Sequence, residues 1–270
     1  MHAVFLVAAT HLKCLQPNEK KHQVIALHNL CQLLPAFRNA ISTVSENKDF
    51  TGEEAEALIA CSMLLLQYSW DIDSHVWSDG GSLALYRGLG SITLSCLHKV
   101  SGGTFSAMII WNPKFCIENC MLNAGAQNTA LDGVFAHILT CTKISDILSE
   151  NSSDVSDILE RMSMILWALE QGPVLSKEFD LELVAARYLF TLPSWFSDGF
   201  LILVKIPDVR AHVVLLYYLA AITKLKCDRF WWMTKRAIFM FKEMSRMIGD
   251  KCFECTGRAQ EIFACNHSSI

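Results

Sequence analysis

VVLLYYLAAI, residues 213–222, is an unbroken run of apolar and aromatic side chains. A bilayer span needs ~20 such residues, so the run is too short to cross a membrane. It is also apolar on every side of a 3.6-residue turn, which predicts a helix buried all round over residues 209–225. Asp228-Arg229-Phe230-Trp231-Trp232 follows, and then a second helix. It places Phe230, Met233, Ala237, Phe241, Met244 and Ile248 at steps of three and four, with Lys235, Lys242 and Arg246 opposite. One face of that helix packs while the other meets water.

The rest of the chain carries the same helical period. Val4, Val7, Ala8, His11 and Leu15 predict one stripe before the turn at Pro17-Asn18. Leu27, Leu30, Cys31, Leu34, Phe37, Ile41 and Val44 predict a second, with a kink at Pro35. Thr51-Gly52-Glu53-Glu54 has capping-box spacing and starts a third helix, with Leu58, Ser62, Leu65 and Leu66 inward. A polar stretch at 71–81 reads as a loop, and helix resumes from Ser82 to Lys99. Residues 104–127 give no clear period, and Pro113 and Gly125 read as breakers. Helices then follow over 129–148 and from Ser152 to Glu170, the latter stopped by Gly172-Pro173. No strand alternation persists and no 20- to 50-residue repeat is present. The fold class expected is all-α, a single large helical domain of about ten helices around the helix at 209–225. The polar stretch at 145–157 offers an alternative boundary between two lobes.

With 270 residues, the chain is long enough to bury a sizeable core. Hydrophobic residues make up 52% and charged residues 19%, leaner in charge than the ~25% of an ordinary domain. A large interior, with room for a ligand cavity, fits that balance. Net charge is −4, with Lys and Arg scattered along the chain, so no basic face is offered to phosphates and no direct DNA binding by this chain is expected. The eleven cysteines lie inside apolar helical patterns, as Cys31, Cys61, Cys96 and Cys141 do, which points to a reducing compartment. No targeting peptide and no membrane span are read.

Several groupings have residue types that carry chemistry. Cys252-x-x-Cys255, with Cys265 and His267, has zinc-ligand residue types, but a lone CxxC is a weak signal and a tail with ordinary thiols explains it; no metal is assigned. Asp71-x-Asp73-x-His75 after a helix end, with Ser156 and Glu160 four apart on one helix face, resembles imperfectly the two magnesium-diphosphate motifs of class I terpene cyclases. A solvated loop, and an N-cap followed by a polar helix face, explain them better. No P-loop, GxGxxG, GxSxG or HExxH occurs, so no nucleotide cofactor and no conventional hydrolase centre are expected. His212, Tyr217, Phe230, Trp231, Trp232 and Met240 are the residues read as lining an apolar ligand pocket, against the plainer reading of each as core.

The stretch Ile206-Pro207-Asp208, a long apolar helix, then Phe230-Trp231-Trp232 opening an amphipathic helix resembles the end of the fungal-specific regulatory domain that follows a binuclear zinc cluster. It is similar to the C-terminal domain of sterol uptake control proteins. Met1-His2-Ala3-Val4, Ala8-Ala9-Thr10-His11-Leu12, Gln16-Pro17-Asn18 and a helix containing His22 resemble the family's opening. Ser62-Met63-Leu64-Leu65-Leu66 before Tyr68-Ser69-Trp70, and Tyr86-Arg87-Gly88-Leu89, resemble its middle. The resemblance runs through 145–157 and so favours one domain, 1–250, followed by a C-terminal tail, 251–270. It implies an effector-binding regulatory domain controlling sterol or secondary-metabolite genes, with a pocket over Val209 to Ile248. The expected ligand is a hydrophobic small molecule, a sterol, terpenoid or polyketide. A protein partner or homodimer and residence in the nucleus, with shuttling to the cytoplasm, are expected too. The family's DNA-binding zinc cluster is not encoded in these residues, which open at Met1 within the first family helix. The alternative is a stand-alone copy of the domain repurposed as a terpenoid or polyketide cyclase or pericyclase, with Asp71, Asp73, His75, Ser156 and Glu160 as its catalytic residues.

Overall fold

The computed structural model describes residues 1–46, 50–70, 81–100, 113–124, 129–144, 152–175, 180–206, 208–226 and 228–267. The chain is all-α: among the described residues there are twelve α-helices, one 3-10 turn and no strand. None of the described helices is long and apolar enough to cross a membrane. The helices group into two compact units, α1 to α4 and α5 to α12.

The first unit holds α1 (His2–Leu15), α2 (Lys20–Glu46), α3 (Gly52–Ser69) and α4 (Gly81–Val100). The capping box forms as its spacing predicts. Thr51 Oγ1 accepts from the Glu54 N–H at 3.2 Å, and Glu54 accepts from the Thr51 N–H at 2.8 Å. The faces of α1 and α2 depart from expectation. Ala3, Leu6, Ala9 and Thr10 of α1 are buried, whereas Val4 and Leu15 are exposed. On α2, Ala26 and Leu33 are buried while Leu27 is 48% exposed; Phe37, Ile41 and Val44 do pack inward, against Leu58 and Ile59 of α3 and Cys96 of α4. The reason is that α1 is apolar nearly all the way round, so its period does not single out one stripe. Contact with α2 and α3 decides instead. The α2 helix continues through Pro35 without ending.

The second unit holds α5 (Pro113–Asn123), α6 (Thr129–Thr140), α7 (Ser152–Leu175), α8 (Leu181–Thr191), the 3-10 turn Leu192–Trp195, α9 (Asp198–Lys205), α10 (Val209–Thr223), α11 (Trp231–Ile248) and α12 (Phe253–His267). Pro113 opens α5 rather than breaking it, because a first-turn N–H has no intrahelical partner to lose. Similarly, α7 runs through Gly172-Pro173 to Leu175, five residues beyond the expected end, since Pro removes only the bond to the Leu169 carbonyl.

Helix α10 is the centre of this unit. Asp208 caps it, accepting from the Ala211 N–H at 3.1 Å, and every residue from Arg210 to Thr223 is buried. It packs against α7, α8, α9, α11 and α12. Each fully buried Leu, Ile or Val contributes ~1.5–3 kcal/mol of transfer free energy, so burying α10 along its length stabilises the unit substantially. On α11 the buried set is Met233, Thr234, Ala237, Met240, Phe241, Met244 and Ile248, with Lys235, Lys242 and Arg246 exposed, as the period predicts. Most of the stretch expected as a tail, Phe253–His267, is helical. It forms α12, whose Cys255, Ala259 and Ile262 are buried and whose Phe263 ring stacks on Phe241 at 4.1 Å. The apolar positions 255, 259 and 262 follow a helical period that a short, polar-rich ending concealed.

Candidate functional site

Two features of the second unit have the make-up of sites. The first joins α6 to α12. Residues 137 and 141 are four apart, so His137 and Cys141 lie on one face at the end of α6. Cys252 immediately precedes α12 and Cys255 lies in its first turn. The Nε2 of His137 and the three sulfurs all lie within 4.8 Å of one another. Cys141 Sγ and Cys252 Sγ are 3.6 Å apart, too far for a disulfide, and His137 Nε2 is 3.6 Å from Cys252 Sγ. The three cysteines are buried and the histidine is half-buried.

Cys252 is the electrostatic focus of the cluster. The Cys255 backbone N–H donates to its sulfur at 3.4 Å, and the Cys141 thiol donates from the other side. Burial resists its ionisation, but the hydrogen bonds from Cys255, His137 and Cys141 outweigh burial and pull the thiol down to about 7. Cys255 goes the other way: burial, reinforced by Cys252 and Cys141, holds it protonated well above the thiol range. His137 Nε2 also faces the Glu254 carboxylate at 3.1 Å. Such a set of one imidazole and three sulfurs is a soft donor cage, suited to Zn²⁺ rather than to Mg²⁺ or Ca²⁺.

The sequence reading found one half of this cluster and mistook the other. Cys265 is exposed and lies ten residues beyond Cys255, ~15 Å further along the helix, so it is not part of the group. Cys141, whose apolar surroundings in the sequence read as core, is. The available signal was the His137-x-x-x-Cys141 spacing at a helix end, which matches two ligands on one face.

The second feature is a cleft of about 720 Å³ between α5, α6 and α7. Phe115, Met121, Leu122, Phe135, Leu139 and Met164 supply apolar walls, and Glu118, Asn119, Ser156, Glu160 and Ser163 supply polar groups. Glu160 is engaged by Lys114 at 3.4 Å, and Lys114 also reaches Glu118 at 3.7 Å. Thus Ser156 and Glu160 share one cavity wall. Asp71, Asp73 and His75 lie outside the described residues.

None of the six residues expected to bind ligand lines this cleft. His212 is buried; burial lowers its pKa, while a hydrogen bond to the Val204 backbone partly offsets that. Tyr217 is fully buried, its ring edge-on to Phe135 at 5.2 Å, so it backs the cleft wall from behind. Phe230 is buried with the Arg229 guanidinium 5.4 Å from its ring, and Met240 is buried on α11. Trp231 is half-buried, and Trp232 meets Phe190 edge-on at 5.0 Å. The surroundings of α10, which carries His212 and Tyr217, are filled because other helices pack against it. The concave apolar surface arises instead where three shorter-range helices meet.

No family model, curated protein or solved structure matches this chain.

Proposed function

We propose that the chain is an effector-binding regulatory domain, of the kind found in fungal zinc-cluster transcription regulators, that holds a hydrophobic small molecule in the cleft between α5, α6 and α7. The observation that carries this reading is the cleft itself. Its volume of about 720 Å³ lies within the ~300–1,000 Å³ of small-molecule sites, and an apolar lining with a few polar groups is what such sites use to orient a ligand. A sterol, terpenoid or polyketide with one or two hydroxyls matches that lining, the hydroxyls meeting Asn119, Ser156 or Ser163. The low charge content and absence of a basic face support a sensor rather than a DNA-contacting role, acting in the nucleus through a protein partner or a second copy. Ligand binding shifts the populations of two helical arrangements only if its affinity differs between them.

A thermal-shift screen of sterols, terpenoids and polyketides tests the proposal. A ligand present at 100 times its Kd adds ~2.7 kcal/mol. Ala136→Phe, which fills the cleft from an exposed position on α6, should abolish the shift without lowering the unliganded Tm. If no compound stabilises the protein, or if Ala136→Phe leaves the shift intact, the cleft is not the binding site.

A second reading, a cyclase, is favoured by Ser156 and Glu160 sharing the cleft wall. Incubation with farnesyl diphosphate and Mg²⁺ should then release diphosphate. Unchanged turnover in Glu160→Gln would remove this reading.

A further inference from the structure

We propose that His137 Nε2, Cys141 Sγ, Cys252 Sγ and Cys255 Sγ are the four ligands of one structural Zn²⁺ that fastens α6 to α12. This goes beyond the effector-binding reading and does not depend on it. In a tetrahedral site with Zn–S near 2.3 Å, neighbouring sulfurs are ~3.8 Å apart. The observed Cys141–Cys252 separation of 3.6 Å already has that value, as does the 3.6 Å between Cys252 and His137, and no pair exceeds 4.8 Å. Four donors from the facing ends of two helices thus lie close enough together for one tetrahedral ion to be reached by all of them. A disulfide would use two sulfurs and leave the third sulfur and the imidazole without a role.

The local structure favours a thiolate at Cys252. Cys252 sits at the start of α12, where the helix N-terminus directs N–H groups toward its sulfur, and the Cys255 N–H makes that contact at 3.4 Å. Three protein sulfurs and an imidazole fill four positions and leave none open, which marks a structural rather than a catalytic ion. On binding, Zn²⁺ replaces the protons of the thiols, which pass to solvent, and no electron transfer is involved. Three thiolates, one neutral imidazole and Zn²⁺ give a centre of net charge −1. The imidazole nitrogen that binds the ion is the one now 3.1 Å from Glu254. The Glu254 side chain is 70% exposed, so it moves into water at little cost when the ion takes its place. The ion ties residues 111 positions apart in the chain, and α6 is also a wall of the apolar cleft.

The test uses the full chain purified under reducing conditions without chelator. Elemental analysis should find one zinc per chain. Exchange for Co²⁺ should give thiolate-to-metal charge-transfer absorption with the intense visible bands of a tetrahedral ion. A strong chelator should lower the Tm. Cys141→Ser with Cys252→Ser should lose the metal, while Cys265→Ser and Glu254→Gln should keep one zinc each. If the double variant fails to fold, the Co²⁺ spectrum of the unaltered chain still decides. Zinc at background level together with no Co²⁺ bands overturns the proposal. So does a Cys141–Cys252 disulfide that, once reduced, yields a chain unable to take up metal, because the group would then be a redox pair.

Discussion

Replacing Tyr217 by Phe removes a single oxygen atom from the middle of α10, and the structure gives that change the opposite sign from the same change at Tyr218. Both tyrosines are fully buried. The Tyr218 hydroxyl donates to the Leu189 carbonyl at 3.1 Å. That carbonyl lies in the last turn of α8, and its usual donor would be the N–H of residue 193, which is proline and has none. Tyr218 therefore supplies the donor that Pro193 cannot. Without it a buried carbonyl is left unpaired, which costs ~1–3 kcal/mol. The Tyr217 hydroxyl, in contrast, is buried and, among the described residues, makes no hydrogen bond of good geometry, with only the Ala259 backbone near it. Holding an unpaired hydroxyl in an apolar interior costs ~1–3 kcal/mol, and Phe would relieve it while keeping the edge-on contact with Phe135. Tyr217→Phe should thus equal or exceed the unaltered protein in stability, and Tyr218→Phe should fall below it, with a gap of ~2 kcal/mol or more. In a unit of this size that gap is roughly 4–8 °C in Tm. Near-UV circular dichroism melts of the two variants side by side provide the measurement. If Tyr217→Phe is the less stable of the pair, the hydrogen-bond account of α10 is wrong.

Two further outcomes follow from particular contacts. Alanine at position 52 should destabilise the first unit by ~1–3 kcal/mol although Ala is the better helix former, because a Cβ there meets the Lys99 backbone oxygen at 2.8 Å and a backbone atom cannot swing aside; equal or greater stability in urea denaturation would refute this. His212 has its pKa lowered by burial, opposed by the Val204 backbone and Asp208 and assisted by Lys251, so between its folded value and the ordinary 6.5 the unfolded chain holds a proton that the folded chain does not. Stability should be full above 6.5 and fall as the pH drops below it; Tm measured from about pH 8 to about pH 5 should decline less in His212→Gln, and parallel curves would show that His212 is not the group responsible.

The parts of the fold legible in the sequence are those where one residue pattern admits one structure. The run at 213–222 is apolar on all sides, and the period of α11 separates Met233, Ala237 and Phe241 from Lys235 and Lys242, so burial is decided locally. The Thr51–Glu54 box is equally local. Where a helix has two apolar faces, as α1 does, the buried one is chosen by its neighbours, and sequence alone picked Val4 and Leu15 where the structure buries Ala3 and Leu6. Pro113 and Pro173 show a different limit, since the cost of a proline depends on which backbone bond it removes. The candidate metal ligands illustrate the third. Cys252-x-x-Cys255 is a local pattern and was visible, but its complement comes from a helix more than 100 residues earlier, and nothing within either segment announces that pairing. The cleft has the same character, because its concavity belongs to three helices and to no one of them.

The position of α10 also sets a schedule for how the second unit comes into being. Helices α5, α7, α8 and α9 are all made before α10, yet α7, α8 and α9 each direct apolar side chains at it. A ribosome adding about 5–20 residues per second takes roughly 2–10 s to go from Leu175, where α7 ends, to Thr223. Throughout that interval the nascent segment displays surfaces made to enclose a helix that does not yet exist. Apolar surface left open for seconds is what holdase chaperones bind, so this half of the protein is the one whose yield in a cell should follow chaperone supply.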